Sequence, residues 1–150
     1  MVGPPRRLPE VSVVASRQQP HEIFLVVLSG VFGVAYLVGA PPPESVAALI
    51  DPWLMHFWAA GLAVGGLLGA LALGGWGGTR VSLRVEQAAM SSTALALCVA
   101  ASTIFQVAGD RGFFGVGFCL SWAMANLARV YMIQSDLRKL QRIDGPLKRR

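Results

Sequence analysis

Four apolar runs, each about as long as a bilayer-crossing helix needs, alternate with short polar or Gly- and Pro-rich segments along this chain. The clearest is residues 53–75, WLMHFWAAGLAVGGLLGALALGG, which carries no formal charge. At about 1.5 Å per residue it can cross a hydrocarbon core about 30 Å thick. Trp53, Phe57 and Trp58 crowd one end, where amphipathic rings settle at headgroup level. Gly61, Gly65 and Gly69 recur every fourth residue, a ridge along which another helix can come close.

The same pattern places the other spans at residues 22–40, 84–108 and 113–133. In the first, Pro20 stands near the start, where a missing N–H costs little, and Glu22 faces the positive helix end. Ser29 and Gly33, then Ala35 and Gly39, are small residues four apart, and Pro41, Pro42 and Pro43 end the helix because none can donate a backbone hydrogen bond. Residues 44–50 are apolar enough to lie on the membrane surface before Asp51-Pro52 opens the second span. Residues 74–78 form a turn of residues that permit positive φ. The third span carries Glu86 one turn inside, Gln106 near its far end and a ridge at Ala88, Ser92, Ala96 and Ala100. After a tight turn at residues 109–112, the fourth carries the ridge Gly117, Ser121 and Ala125 with two polar members, Asn126 and Arg129.

The fold expected is an all-α membrane protein: four transmembrane helices in an antiparallel bundle, followed by a short amphipathic helix at the C-terminus. Three spans are the competing count, with the third run lying on the surface because of Glu86 and Gln106. Residues 1–21 read as a cytoplasmic tail, since Pro4, Pro5, Pro9 and Pro20 with Arg6, Arg7 and Arg17 cannot bury enough surface to fold. A cleaved secretory signal competes with that reading, on the small residues Val38-Gly39-Ala40. The long leader, the long apolar run and Pro41 after the cut all oppose it. In residues 134–150, Leu137, Leu140 and Ile143 share a helix face while Arg138, Lys139 and Arg142 take the other; Asp144-Gly145-Pro146 is the expected stop.

Charge then orients the spans. Lys and Arg number 3 in the N-terminal tail, 0 in the first loop, 2 in the second, 1 in the third and 7 from Arg129 onward. Lys- and Arg-rich short segments stay cytoplasmic, so both termini are expected in the cytoplasm and the loops at residues 41–52 and 109–112 outside. The six residues Arg138, Lys139, Arg142, Lys148, Arg149 and Arg150 form a basic cluster that either contacts anionic lipid at that face or serves only as a topology signal.

Composition narrows the chemistry. With 54% hydrophobic and 14% charged residues in 150, the chain lies outside the balance of soluble domains. The net charge of +5 lies in segments flanking the spans, which argues for topology and against nucleic acid as a partner. Cys98 and Cys119 fall in apolar surroundings and read as small hydrophobes. His21 and His56 lie at opposite membrane faces and cannot share a haem; no metal-ligand spacing, nucleophile with a base, or phosphate-binding glycine motif is present. No enzyme activity and no cofactor are therefore expected. Glu86 and Arg129 are the two charges inside spans, at equal depth, and read as an intramembrane pair: structural, or part of an ion or proton path.

The proline-rich loop leading to Pro52-Trp53 and Trp58, the Gly65-Gly66 to Gly69 run, Glu86, and Arg129-Val130-Tyr131-Met132-Ile133-Gln134 leading to Leu137-Arg138-Lys139-Leu140 resemble small four-span membrane proteins encoded by bacteriophages of actinobacteria. The resemblance covers roughly residues 22–140 and implies a viral origin and a host-membrane location, without an assigned activity. Three function classes follow: a non-enzymatic membrane protein acting through helix packing or partner binding, a holin-like pore former in host lysis, and a small transporter or channel subunit. The last needs Glu86 and Arg129 to face a hydrated cavity. The small-residue ridges serve either packing within one chain or self-association as a homo-oligomer.

Overall fold

The computed structural model describes residues 20–41, 51–75 and 77–147, and these are helical with short turns between. Among the described residues, four α-helices follow in order: α1 (Pro20–Leu37), α2 (Pro52–Leu73), α3 (Thr79–Ala108) and α4 (Phe113–Leu147), with a 3₁₀ turn, Gly109–Gly112, joining the last two. The expected N-terminal tail, the surface turn at residues 44–50, and Lys148, Arg149 and Arg150 lie outside the described residues, as do the side chains of Lys139 and Arg142.

Two helical stretches are long and apolar enough to cross a membrane: Pro52–Leu73, and the continuous Thr79–Arg138, with mean hydropathies of 1.6 and 1.7. The second is 60 residues long and turns back on itself at Gly109–Gly112. Its arms are antiparallel, because Glu86 meets Arg129 near one end while Ala94 and Leu97 pack on Ala123 further along. The apolar part of α1, Glu22–Leu37, is shorter.

Local chemistry explains where the helices begin and end. Asp51 caps α2, its carboxylate accepting from the Trp53 N–H at 3.2 Å, and Pro52 occupies the first turn, where no donor is needed. The first helix stops at Leu37 rather than at residue 40. Gly39 adopts φ 97°, its N–H bonds Tyr36 O, and the Ala40 N–H bonds Ala35 O at 2.9 Å. This left-handed cap closes the last turn before the prolines are reached. Between α2 and α3, Gly75, Gly77 and Gly78 take φ of 69°, 80° and 82°, a turn that side-chain-bearing residues would strain. That turn releases the chain early, so α3 starts at Thr79 instead of residue 84.

The last helix runs 35 residues, about 52 Å, and passes through Gly145-Pro146 to Leu147, beyond the expected stop. Proline already has helical φ and is tolerated near a helix end, where few later N–H groups depend on the turn it interrupts. Arg80 of α3 donates from Nη2 to Leu140 O at 3.3 Å, and Leu137 and Leu140 are half-buried. The amphipathic extension thus leans on the start of α3.

Dense packing runs between consecutive helices: α1 on α2, α2 on α3 and α3 on α4. Among the described residues no such seam joins α1 to α4, which stand across a gap from each other. The α1–α2 seam is the closest. A Cβ added to Gly66 would overlap the Gly30 backbone, and one added to Gly33 would overlap Ala63 N and lie 2.7 Å from Ala59 O.

Candidate functional site: a polar centre at one end of the helices

Helix order alone brings three ionisable groups to one end: Glu22 in the first turn of α1, Glu86 two turns into α3, and Arg129 midway along α4. Arg129 turns its guanidinium toward α3 and donates from Nε and Nη2 to the same oxygen, Glu86 Oε1, at 2.7 Å each. Glu22 Oε2 stands 4.0 Å from the same Arg129 Nε. The Arg129 and Glu86 side chains are 10% and 12% exposed and that of Glu22 is 27%. Burying one ion there would cost several kcal/mol, and the short forked contact offsets much of that cost. With both glutamates ionised the three groups sum to one negative charge.

The gap between α1 and α4 is a cavity of about 60 Å³, to which all four helices contribute walls. Its polar lining is Glu22, Ser29, Thr93, Asn126 and Arg129. A smaller space of about 20 Å³ adjoins Glu22 and Glu86 beside Gly69 and Met90. The first has room for a few water molecules. Ser29 donates to Leu25 O at 2.7 Å and Thr93 to Ala89 O at 3.1 Å, each within its own helix, so both hydroxyl oxygens keep lone pairs for other partners. Asn126 is 8% exposed, and its Nδ2 has no hydrogen-bond partner among the described residues.

The expected small-residue ridges divide. Gly61 meets Ala96 across the α2–α3 seam at 2.7 Å from an added Cβ, Gly65 meets Thr93, and Gly69 meets Val26 of α1. Ser92 lies in the α2–α3 seam and donates to Gly61 O at 3.1 Å, while Ala88 is exposed. The α4 ridge packs on no other helix, although Ala125 lines the α1–α4 cavity. Nothing lies within 4 Å of a Cβ at Gly117, and Ser121 and Ala125 are exposed. Cys119, Ala123, Asn126 and Ile133 form the inward face of α4 instead. Spacing by four alone cannot tell these two faces apart, because both recur at helical intervals.

Cys98 and Cys119 are half-buried free thiols flanking the Ala94, Leu97 and Ala123 cluster. His56 shares a 2.7 Å hydrogen bond with Pro52 O of its own helix. It stands at the start of α2 and His21 at the start of α1, opposite ends of an antiparallel pair. Among the described residues no group of three or more His, Cys, Asp or Glu is placed to hold a metal ion.

Sequence reasoning paired Glu86 with Arg129 and missed Glu22 as the third member. The signal was present: with four antiparallel helices, the start of α1 and of α3 and the latter part of α4 share one end. Thr93 gave no signal, because a hydroxyl in an apolar helix normally bonds its own backbone. Comparison with protein-family models, curated proteins and solved structures returns no match for this chain.

Proposed function

We propose that the chain is a four-span integral membrane protein without enzymatic activity, both termini in the cytoplasm, acting by packing and by binding partners within the bilayer. The observation that carries this reading is the forked contact between Arg129 and Glu86 at 2.7 Å. A contact of this kind is how paired charges are made tolerable inside a membrane, and it draws the start of α3 and the latter part of α4 to one face. The 12 to 1 division of Lys and Arg between alternate segments makes that face cytoplasmic. The resemblance would set the protein in the inner membrane of a phage-infected bacterium, with the basic extension beyond Gln134 touching anionic lipid. Reporter fusions at Arg150 and after Glu44 test the threading: the account requires a cytoplasmic signal from the first and an external one from the second. An external signal at Arg150 would refute it.

A second reading, a small transporter or channel subunit, draws on a separate observation. Arg129 and Glu22 line a cavity with room for water, and Glu86 lines the space beside it. That is the condition an ion path sets, although among the described residues no further acid or base continues from Arg129 toward the other end of the span. Flux of alkali ions through proteoliposomes holding the purified chain, absent from protein-free vesicles, tests it.

A further inference from the structure

One wall of the α1–α4 cavity carries hydrogen-bond donors without acceptors. Arg129 of α4 gives N–H groups from Nε and Nη2 to Glu86 Oε1, while its Nη1 bonds nothing among the described residues. Asn126 lines the same space at 8% exposure, and its Nδ2 has no partner among them either. A half-turn about χ2 swings that NH2 into the cavity and leaves the amide oxygen, the end less costly to leave unpaired, on the sealed side. Three residues apart, Asn126 and Arg129 share one face of α4, with about 5–6 Å between them. The remaining lining is largely apolar: Leu25 and Val26 of α1, Met90 of α3, and Trp122 and Ala125 of α4. Ala125 is exposed, so the gap opens sideways, into the bilayer on the four-span reading. What enters must be an acceptor on an apolar body. It must also be neutral there, because Glu22, Glu86 and Arg129 together carry one negative charge.

We propose that the gap seats one diacyl phospholipid of the surrounding bilayer, its ester carbonyl oxygens accepting from Asn126 and Arg129 and an acyl chain lying along Leu25, Val26 and Trp122. Ester carbonyls are neutral acceptors joined to apolar chains, and they lie in the interfacial layer just beneath the headgroups. Arg129 and Glu86 stand near one end of the helices, where that layer meets them. The cavity of about 60 Å³ takes the carbonyl end of such a lipid, and the chains run out through the open side beside Ala125. Bare lipid tails would leave both donors unmet. The proposal rests on the four-span reading and names a partner for it; a seated lipid also fills the space that the transport reading needs open.

The test is thermal unfolding of the full chain in dodecyl maltoside, titrated with two phosphatidylcholines of equal chain length, the ester-linked dioleoyl form and the ether-linked dioleyl form. The ether lipid keeps headgroup and chains and lacks the carbonyls. Binding raises the apparent Tm with the logarithm of lipid mole fraction. The ester form should reach a given Tm at about a tenth of the mole fraction that the ether form needs, or less, the contribution of one or two hydrogen bonds. Asn126→Leu, close in shape and without a donor, should shrink that difference to about threefold or less. Equal responses of the parent to both lipids overturn the proposal and leave water or bare packing as what fills the gap. A Tm that responds to neither lipid overturns it too, as does an ester preference undiminished in Asn126→Leu. Should that variant fail to fold, Ala125→Phe at the exposed wall decides: it closes the open side and should abolish the ester preference, and a parent-like preference overturns the proposal. Each of these failures leaves the threading untouched, since reporter fusions at Arg150 and after Glu44 decide that separately.

Discussion

The α1–α2 seam and the α1–α4 gap hold the same helix on two sides by opposite means. Along the seam, Gly30, Gly33 and Gly66 remove the side chains and let backbones touch, with Tyr36 and Trp58 stacked obliquely at 5.6 Å toward one end. Across the gap the helices stay apart, and the link is Arg129 reaching toward Glu22. Lipid tails are as apolar as leucine, so burying apolar surface gives no reason for helices to associate in a bilayer. Close van der Waals contact and polar bonds are what remain. One side of α1 uses the first and the other the second, and only the second leaves room for solvent or a ligand.

The largest effect expected comes from the polar side. Arg129→Leu leaves Glu86 buried without its partner and should cost about 3–5 kcal/mol of stability, read as loss of folded yield in detergent. Glu86→Gln added to Arg129→Leu should recover much of that loss, because no unpaired charge then remains. Failure of the second change to rescue the first would mean that the pair contributes shape rather than charge.

On the dry side, Gly66→Leu forces α1 away from α2 and should cost about 1–3 kcal/mol or more. The matching change on the outward ridge is Gly117→Leu; an added Cβ there meets no atom within 4 Å, so unfolding should stay unchanged. If Gly117→Leu alters a crosslinked oligomer band while unfolding stays as in the parent, the α4 ridge is a seam between copies. Smallest is Ser92→Ala, which removes the bond to Gly61 O and should cost about 0.6 kcal/mol in the same unfolding measurement.

Much of the architecture could be read from residues alone, for reasons specific to each. Asp51-Pro52 and Gly74 to Gly78 mark helix ends because caps and positive-φ turns are local chemistry that neighbours do not override. The Glu86–Arg129 pair followed from depth and the cost of lone charges. Which small residues pack was not readable, as Gly65 and Gly117 look alike in sequence yet one touches Thr93 and the other nothing. Rotation of a helix about its axis is set by its neighbours, and an all-round apolar helix carries almost no record of it. The cavity was hidden for a related reason. It arises from what α1 and α4 fail to bury, a property of four helices together.

The central claim is that the Thr79–Arg138 stretch crosses the bilayer twice, turning at Gly109–Gly112. With Cys98 and Cys119 replaced by Ser, single cysteines introduced by Arg84→Cys and by Asp110→Cys report the two ends of α3 to a membrane-impermeant maleimide. The account predicts labelling at position 110 in intact cells and at position 84 only after permeabilisation. Labelling of both from the same side would contradict it.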